Sequence, residues 1–465
     1  MKIVSNKEID TNKFTEFLYT NFKNNEDMVY IKDLSDSNLI HLVTGNIEVK
    51  LPVLFDYEKQ KYAMYKSLIL KKYNLNLAWG SLVGVRPTKL VNSLLKEKNI
   101  VEVKKILSLV YNISDEKIEL LFDIINNQKG YIDTKTISIY IGLAFCPTKC
   151  TYCSFPAYLK KGKYLEKFGQ YFLTILDEIK QISEIVKKYS LKVGEIYIGG
   201  GTPSFLDHSE LKMMLETIKD NFDFSNLCEY TFEAGRIDTL DYEKLRLLKE
   251  YYVDRISINP QSFNEKTLKR VNRYHSQEKL DEVYDISKKL GFCINMDYIM
   301  GLPYENTSDM LHTINKFSEY NPENITIHFL AMKSSSFLTK QKYEQNYENV
   351  DFKKIYNAIY KYAKDNKYLP YYMYRQKASF REAENIGFCK KGYQSRYNID
   401  IIEENKNILS IGAGSYTKLI KNGKINRITS PKDPIMYVLE YEKRIKEKKE
   451  EIEKFYDEKN ISNGM

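Results

Sequence analysis

Short apolar stretches alternate with long amphipathic ones from about residue 136 onward. The short stretches are rich in Ile, Val, Tyr and Phe, which favour β-strands, whereas the long ones repeat their apolar residues at helical spacing. Strands that alternate with helices are typical of βα units and a parallel sheet. We therefore predict an α/β fold, a partial (β/α)6 barrel of the TIM type. Its six strands are predicted at 136–143, 194–198, 229–233, 254–259, 294–299 and 325–330.

The clearest helix of the barrel region is predicted at 164–189, where Phe168, Phe172, Ile175 and Ile179 recur among Lys and Glu residues. The segment before the barrel has a different pattern, a mixed start followed by shorter helices. Those helices are predicted at 62–73, 89–96, 103–111 and 118–125. We expect an extra mixed α/β domain over residues 1–135 and the barrel over 136–345.

The chain after the sixth strand is predicted to form a small C-terminal domain over 346–465, which would act as a lid over the substrate. It begins with a helix at 352–368 and an aromatic segment at 371–374. A glycine-punctuated run at 411–415 then precedes a charged final helix. That last helix, rich in Lys and Glu, is expected to face solvent.

Length and cysteine usage narrow the class of protein. A chain of 465 residues is too long for one ordinary core, so several domains are expected. The first ten residues are charged and precede no apolar run, which excludes an ordinary secretory signal, and no segment resembles a membrane span. Three of the six cysteines fall within eight positions, unlike a secreted disulfide framework. We expect a cytoplasmic protein with reduced thiols and no membrane partner.

The net charge of +9 is spread through helical stretches and the Lys-rich tail. This distribution is typical of solvated helix faces. An RNA-binding protein would need basic residues on one face together with aromatic side chains for stacking. Nucleic acid is therefore not an expected partner.

Three cysteines directly follow the first predicted strand, in the run Cys146-Pro-Thr-Lys-Cys150-Thr-Tyr-Cys153. This spacing lets one tight loop direct three thiolates at a common centre, in the position where barrels carry active sites. Three cysteines leave one iron of a [4Fe-4S] cube without a protein ligand and free to bind a substrate. The alternative, a closed zinc site, needs four Cys or His ligands, and the nearest downstream histidine is His208.

Glycines and polar residues end the later strands. Gly199 to Gly201 let the backbone approach a ligand closely and offer amide groups to a carboxylate, although a plain strand-to-helix turn is the alternative. The polar residues at the strand ends favour a shared pocket, with a helix cap or surface hydrogen bond as the alternative for each. An arginine downstream could pair with a carboxylate or lie exposed on a helix. These residues are Glu233, Gln261, Asp297 and Arg273.

In combination, these motifs resemble the radical S-adenosylmethionine (SAM) enzymes of the oxygen-independent coproporphyrinogen III oxidase (dehydrogenase) family, particularly its HemZ-type branch. The family motifs are the cysteine run, Gly199-Gly-Gly-Thr-Pro203, Glu233-Ala-Gly-Arg236, Ile256-Ser-Ile-Asn-Pro-Gln261, Asn295-Met-Asp297 and Gly301-Leu-Pro303. The likeness to the HemZ-type branch rests on Gly84-Val-Arg-Pro-Thr-Lys-Leu90 in the N-terminal domain and on Tyr374-Arg-Gln-Lys377.

The resemblance implies a [4Fe-4S] cluster on Cys146, Cys150 and Cys153, with SAM as the second cofactor. The partners it implies are a tetrapyrrole substrate and an electron donor that the sequence does not identify. It assigns no catalytic residue. The positions implied to contact SAM are Tyr140, Tyr152, Gly200, Gly201, Thr202, Glu233, Gln261, Arg273 and Asp297.

The activity implied is oxidative decarboxylation of coproporphyrinogen III propionates to vinyl groups, which gives protoporphyrinogen IX in haem biosynthesis. The chain departs from the best-known members beside the cysteine run. Gly142 and Ala144 stand where those enzymes have His and Pro, and Ser154-Phe155 replace a further cysteine. A haem-binding chaperone or an anaerobic haem-modifying radical SAM protein of the same family therefore stays open as an alternative.

Overall fold

A computed structural model describes residues 1–22, 25–333, 335–341, 343, 347, 350–376 and 383–463. These residues fall into two compact units. Unit 1 lies within 1–127 and 370–386, and unit 2 within 128–369 and 387–465. The domain boundaries expected after residues 135 and 345 stay predictions. Among the described residues, no helix combines the length and the apolarity needed to cross a lipid bilayer.

Unit 1 contains a four-stranded sheet in the order β1-β2-β3-β4, where β1 pairs with β2 in parallel and the other pairs are antiparallel. Strand β2 buries every second residue, as expected for a sheet with one covered face. The sequence indicated only a mixed start here. The strands are β1 (Lys2–Ser5), β2 (Met28–Asp33), β3 (Leu39–Thr44) and β4 (Ile47–Pro52).

The helices of unit 1 confirm the four helices predicted from the spacing of apolar residues. The longest, α2, packs on β3 and β4. A capping box between Asn99 and Glu102 begins α4 by satisfying backbone amides that have no partner within the helix. The helices are α1 (Thr15–Asn21), α2 (Tyr57–Lys72), α3 (Pro87–Leu94), α4 (Ile100–Leu109) and α5 (Asp115–Gln128).

Unit 2 is built on the parallel barrel sheet that the sequence predicted. All six predicted strands are confirmed, with ends that differ by at most two residues. They pair in sequence order and in parallel. The strands are β5 (Ile137–Leu143), β6 (Val193–Gly200), β7 (Glu229–Phe232), β8 (Arg255–Ser257), β9 (Cys293–Met300) and β10 (Asn324–Phe329).

The remaining strands were not predicted as such. Two lie where the sequence passes between the units, namely β11 (Leu369–Arg375) and β12 (Glu384–Cys389). The others extend the barrel sheet on its β5 side, because β13 pairs with β5 in parallel and continues into an antiparallel hairpin. These are β13 (Ile408–Ile411), β14 (Tyr416–Lys421) and β15 (Lys424–Thr429).

Helices connect the strands of unit 2. Helix α6 confirms the clearest helical prediction, and capping boxes begin α7 and α11. The helices of the barrel are α6 (Lys163–Lys188), α7 (His208–Asn221), α8 (Tyr242–Glu250), α9 (Glu265–Arg270), α10 (Gln277–Lys289), α11 (Thr307–Asn315) and α12 (Phe317–Tyr320). Those that follow are α13 (Phe337–Lys340), α14 (Phe352–Asp365), α15 (Arg396–Glu403), α16 (Pro434–Leu439) and α17 (Tyr441–Asn463).

Helix α17 is not the solvent-facing helix that its composition indicated. Ile445, Ile452 and Tyr456 are buried, and the helix packs on α6. Lys448 is buried as well and pairs with Glu178 of α6 at 2.9 Å. The expectation was wrong because apolar residues are few along α17 but fall on one face, which is sufficient for a helix to dock.

A buried ion-pair network closes the end of the barrel where its strands begin. Lys406 lies 2.6 Å from Glu195 of β6 and 3.2 Å from Asp400 of α15, and all three side chains are essentially inaccessible. Ser138 of β5 donates a further hydrogen bond to Glu195. Burial raises the pKa of Asp400 to about 7 and raises that of Glu195 as well. Lys406 is the counter-charge that makes two buried carboxylates tolerable.

We expect Lys406→Met to lower the free energy of unfolding by about 3–5 kcal/mol, because it leaves Glu195 and Asp400 buried without a cation. The loss should shrink at lower pH, where protonation removes the buried negative charge. Urea denaturation measures both effects. Lys443→Met is the matched control, since the pair of Lys443 with Glu447 is exposed and should contribute at most about 1 kcal/mol. Equal losses in the two variants would contradict the interpretation.

Candidate active site

The cysteine loop begins where β5 ends and is tied to its surroundings by backbone hydrogen bonds. The amide of Cys146 donates to Tyr158, that of Cys153 to Cys150, and that of Thr151 to Val271. None of the cysteines is in a disulfide. The loop is therefore a fixed turn that carries three free thiols.

Cationic and hydroxyl groups of other strand ends face the thiols of the loop. The hydroxyl of Thr202 donates to the sulfur of Cys146 at 3.2 Å. The guanidinium groups of Arg236 and Arg273 each approach the sulfur of Cys150 to 3.7 Å. Such contacts favour negative charge on sulfur and, in an iron–sulfur protein, influence the reduction potential of the cluster.

Burial raises the pKa of Cys146 to about 11 and raises that of Cys153 too, whereas the hydrogen bond from Thr202 acts in the opposite direction. Free thiols at these positions are therefore protonated at neutral pH. Metal binding requires thiolates, so loading the loop with iron would release protons.

Within the described ranges, no three His, Cys, Asp or Glu side chains lie close enough together to bind a single metal ion. A [4Fe-4S] cube needs a different arrangement, because each of its cysteine ligands binds a separate iron atom. The donor set of the loop, three thiols beside two arginines, suits the net negative charge of a thiolate-bound cluster.

The glycine turn that ends β6 allows a close approach that no other residue would permit. An added Cβ at Gly200, whose φ is +106°, would lie 2.5 Å from the carbonyl oxygen of Leu143. At Gly201 it would lie 2.5 Å from the carbonyl oxygen of Phe145 and 3.1 Å from the sulfur of Cys146. The turn therefore packs directly against β5 and the cysteine loop.

Glu233 lies over the same turn, just beyond the end of β7. Tyr197 donates a hydrogen bond to it at 2.5 Å. A Cβ at Gly199 would approach the Glu233 carboxylate to 2.8 Å, so the glycine is needed to accommodate it. Burial raises the pKa of Glu233 to about 7, and the nearby charge of Asp297 acts in the same direction. The site thus contains a partly buried carboxyl group whose pKa is raised well above that of an ordinary glutamate.

Asp297 on β9 is the ionised carboxylate of the pair. It accepts hydrogen bonds from Asn259 at 2.9 Å and from Asn295 at 2.7 Å, and His328 lies 3.8 Å away. Burial opposes ionisation, but hydrogen bonding and the nearby His328 hold the pKa of Asp297 below its usual value. The pKa values of these two carboxyl groups are therefore shifted in opposite directions.

Gln261 supplies a buried acceptor whose partner is missing. Its backbone adopts φ of +69° and bridges to β9, where its backbone amide donates to the carbonyl oxygen of Asp297 at 3.0 Å. Its side-chain oxygen is buried and has no hydrogen-bond partner in the described part of the chain. A buried acceptor of this kind is stabilised when a bound molecule donates to it.

Three tyrosines stack inside the barrel below Glu233. Tyr140 and Tyr197 lie on adjacent strands, and the ring of Tyr397 from α15 lies 4.2 Å from that of Tyr197 and 6.1 Å from that of Tyr140. Glu229, at the start of β7, accepts the backbone amides of Arg396 and Tyr397 and so anchors the start of α15. We call these three rings the tyrosine floor.

The structure brings the residues expected to hold cofactors together in two groups. Thr202 and Gly201 lie beside Cys146, while Arg273 and Tyr152 lie beside Cys150. Glu233, Asp297, Tyr140, Gln261 and Gly200 form the second group, which follows on from the first through the glycine turn. Arg273 is not an exposed helix arginine, since it also donates to the carbonyl oxygens of Gly235 and Asn259.

Sequence reasoning assigned no role to Tyr197, Tyr397 or His328. Tyr197 lies two residues before Gly199 on β6, and His328 lies two residues after Thr326 on β10. Because every second residue of a strand faces the same side, this alternation could have indicated that both side chains point inward. Tyr397 had no such signal, because it comes from a helix far along the chain.

The departure at Gly142 has a structural correlate. An added Cβ there would lie 3.1 Å from the ring of Tyr140 and 3.6 Å from the carbonyl oxygen of Ile411. The space where the best-known enzymes carry a histidine is therefore restricted by the tyrosine floor and by β13. Of the HemZ-type motif near residue 374, Lys377 lies outside the described residues.

Comparison with known proteins agrees with this geometry. Residues 140–317 match the family model described as Radical SAM superfamily. The solved structure of coproporphyrinogen III oxidase (HemN) from Escherichia coli superposes with a TM-score of 0.52 at 17% identity, over 71% of this chain and 74% of that one. The fold and the site thus define a radical SAM protein, a class whose cofactors are a [4Fe-4S] cluster and SAM.

Two relatives identify the family of this chain within the radical SAM class. The oxygen-independent coproporphyrinogen-III oxidase-like protein HemZ of Bacillus subtilis is 37% identical over 409 residues, which are 85% of this chain and 81% of that protein. The heme chaperone HemW of Buchnera aphidicola (subsp. Schizaphis graminum) is 30% identical over 64% of this chain and 74% of that protein. The chain belongs to the oxygen-independent coproporphyrinogen III oxidase family of radical SAM proteins, in its HemZ-type branch.

Proposed function

We propose that this protein is an oxygen-independent coproporphyrinogen III dehydrogenase, which converts two propionates of its substrate to vinyl groups with loss of CO2. The observation that supports it most is the cysteine loop facing two carboxyl groups whose pKa values are shifted in opposite directions, in a chain similar to HemZ. The reduced cluster and SAM, when bound, supply the hydrogen abstraction that this reaction needs. We further propose a cytoplasmic location and a separate, unidentified electron donor.

The cluster would be held by Cys146, Cys150 and Cys153. Arg236 and Arg273 would position the loop and offset its negative charge, because both guanidinium groups contact Cys150. Arg236 is itself held by Asp238, and Arg273 donates to the carbonyl oxygen of Gly235. In this proposal the protein controls the orientation and charge of the cluster, not the bond-breaking chemistry itself.

SAM would lie across the glycine turn. Gly200, Gly201 and Thr202 would hold its methionine end, and Glu233 its ammonium group. Asp297 would accept hydrogen bonds from ribose hydroxyls, and the side-chain oxygen of Gln261 would gain the donor that it lacks. Tyr140 and Tyr152 would line the same cavity. The tyrosine floor would exclude water from below.

Because the pKa of Glu233 is raised, we predict that SAM binds more weakly at acidic pH. Above about pH 7 the carboxylate is ready to bind an ammonium group, whereas below that pH binding must first displace a proton. We expect the affinity for SAM to fall by up to about tenfold for each pH unit below 7. Calorimetric titration of reconstituted protein between about pH 6 and pH 8 measures it.

Glu233→Gln is the matched control, because it keeps the shape of the side chain and cannot titrate. It should bind SAM more weakly and with an affinity that changes little over the same pH range. If the SAM affinity of Glu233→Gln changed with pH as steeply as that of the wild type, the titrating group would be another residue. Absorbance of the cluster at each pH verifies that the cofactor itself is unchanged.

The proposed activity is tested by anaerobic incubation of the reconstituted protein with coproporphyrinogen III, SAM and a strong reductant. We expect 5′-deoxyadenosine and a product with two vinyl groups, detected by mass spectrometry. Cleavage of SAM without any vinyl product would reject the decarboxylation while leaving the cofactor assignment intact.

A haem chaperone is the second candidate function, favoured by the similarity to HemW and by the restricted space at Gly142. A protein of that kind would bind haem tightly at one per chain and would release it unchanged. Haem titration followed by transfer to an apo-acceptor protein distinguishes it from the dehydrogenase, since neither observation is expected of an enzyme that acts on the porphyrinogen.

A further inference from the structure

Exposed aromatic side chains lie on segments that border the cysteine loop. Phe155 follows Cys153 by two residues and is 64% exposed, and Phe337 of α13 is 47% exposed. The two segments are joined, because the hydroxyl of Ser335 donates to the carbonyl oxygen of Ser154 at 3.0 Å. A single exposed apolar side chain is ordinary, but two on adjoining segments favour a contact surface.

The same loop is bonded to a further segment and to α13 itself. The side-chain amide of Asn272 donates to the carbonyl oxygen of Lys149 at 3.0 Å. The backbone amide of Leu338 donates to the carbonyl oxygen of Thr151 at 3.1 Å. Three segments therefore adjoin one another, and we call their exposed side chains the loop surface. The segments are 146–155, 265–276 and the described part of 333–341.

The loop surface is positively charged. Glu265 is the one acidic residue in its described segments, and it is paired with Lys269. Asp238, which acts on Arg273 from a neighbouring loop, is held by Arg236. The remaining cations of the loop surface are exposed and form no ion pair within the described ranges. They are Lys149, Lys266, Arg270, Lys333 and Lys340.

The loop surface lies beside the proposed ligands of the cluster. Burial raises the pKa of Cys153, whereas the positive charge of Lys149 acts in the opposite direction, so Lys149 is close to this thiol. Cys153 is only partly buried. A donor that contacts the loop surface would therefore need to transfer an electron over a short distance only.

We propose that the loop surface is the docking site of an acidic electron-transfer protein. Its carboxylates contact Lys266, Arg270 and Lys340, and its apolar side chains pack on Phe155 and Phe337. Docking at this site rests on the proposed function, because it assumes a cluster in the cysteine loop. One electron would pass from the reduced donor to the oxidised cluster in each encounter, with no bond made or broken. Opposite charges on the two proteins would speed association and orient the donor.

Binding of oxidised flavodoxin, a small acidic flavoprotein, tests the loop surface without any turnover. Calorimetric titration should give an affinity that falls as salt is raised, because salt screens exposed charges. The double variant Lys266→Glu/Lys340→Glu replaces two cations by acids and should weaken the affinity by about tenfold or more. Phe337→Ser should weaken it by about fivefold through loss of an apolar contact, without changing its salt dependence.

Lys187→Glu is the matched control. Lys187 is an exposed lysine at the end of α6, where the chain leads into the start of β6, whereas the cysteine loop follows the end of β5. The two positions therefore lie at opposite ends of the parallel strands. The same charge reversal at Lys187 should leave the affinity for flavodoxin unchanged. Thermal denaturation verifies that each variant is folded.

Rates of SAM cleavage connect docking with electron transfer. With limiting reduced flavodoxin as the donor, the double variant and Phe337→Ser should cleave SAM more slowly than the wild type, whereas with dithionite they should match it. Flavodoxin that binds both variants as tightly as the wild type, or that does not bind at all, would overturn the docking site. A loss of dithionite-driven cleavage, or a raised KM for coproporphyrinogen III with dithionite, would do so too, because the residues would then act on the cluster or the substrate. Absence of a vinyl product would reject the proposed decarboxylation without affecting the docking result.

Discussion

Cys150→Ser is expected to remove the cluster entirely: iron content should fall from about four atoms per chain to near zero, and SAM cleavage should become undetectable. Cys150 is the most buried thiol of the loop and the one that both arginines approach. A serine hydroxyl at this position would be neutral and a poor iron ligand. Arg273 and Arg236 would also lose a negatively charged contact, and Arg236 would keep its pair with Asp238. Anaerobic reconstitution followed by iron and sulfide analysis measures the change.

Cys228→Ser is the matched control for this experiment. It makes the same chemical substitution at an exposed cysteine. Among the described residues, the sulfur of Cys228 hydrogen-bonds only to the carbonyl oxygen of Asn226. We expect full iron content and unchanged SAM cleavage. A Cys150→Ser variant that keeps its iron, or wild-type protein that takes up stoichiometric zinc in place of iron, would contradict the assignment of the loop.

Gly200→Ala should reduce SAM cleavage per cluster by about 100-fold or more. The added methyl group would meet the backbone of Leu143 at 2.5 Å, and the positive φ of residue 200 is unfavourable for alanine. Relief requires the end of β6 to move away from β5, which displaces the amide of Gly201 and the hydroxyl of Thr202 from their positions. Displacements of about 1 Å in a positioned site are sufficient for losses of this size.

Gly169→Ala is the corresponding control. Gly169 lies within α6, and a Cβ there would meet no atom within 4 Å. Alanine is favoured over glycine in a helix by about 0.5–1 kcal/mol, so this variant should be slightly more stable and as active as the wild type. Cleavage of SAM by Gly200→Ala at the wild-type rate would show that the glycine turn does not position SAM. Rates should be normalised to iron content, so that loss of cluster is not counted as loss of positioning.

The sequence was sufficient to predict the barrel, because parallel strands buried on both faces leave a strong local pattern of β-branched and aromatic residues between amphipathic helices. Strand β6 extends one or two residues beyond each predicted end, since its pairing with β5 continues through Gly199 and Gly200. The pairing of β13 with β5 was not predictable in the same way. It joins segments more than 260 residues apart, and nothing local to Ile408 indicates its partner.

In the candidate site too, local motifs could be predicted from the sequence, whereas long-range contacts could not. The cysteine loop and the glycine turn are contiguous motifs, so their chemistry could be read directly from residue type and spacing. The opposite pKa shifts of Glu233 and Asp297 could not, because they depend on burial and on hydrogen bonds from Tyr197, Asn259 and Asn295. The proximity of His328 to Asp297 depends on the register between β9 and β10.

The tyrosine floor has a consequence for how this protein can be divided or recombined. One of its three rings, Tyr397, is supplied by a segment that follows the six βα units by more than sixty residues. A gene fragment that ends after β10 would therefore encode a barrel open at its base, even though it contains every family motif of the cofactor region. Chimeras that exchange C-terminal segments between relatives would alter the interior of the proposed cofactor pocket along with the predicted lid, so productive crossovers should keep Tyr140, Tyr197 and Tyr397 from the same parent.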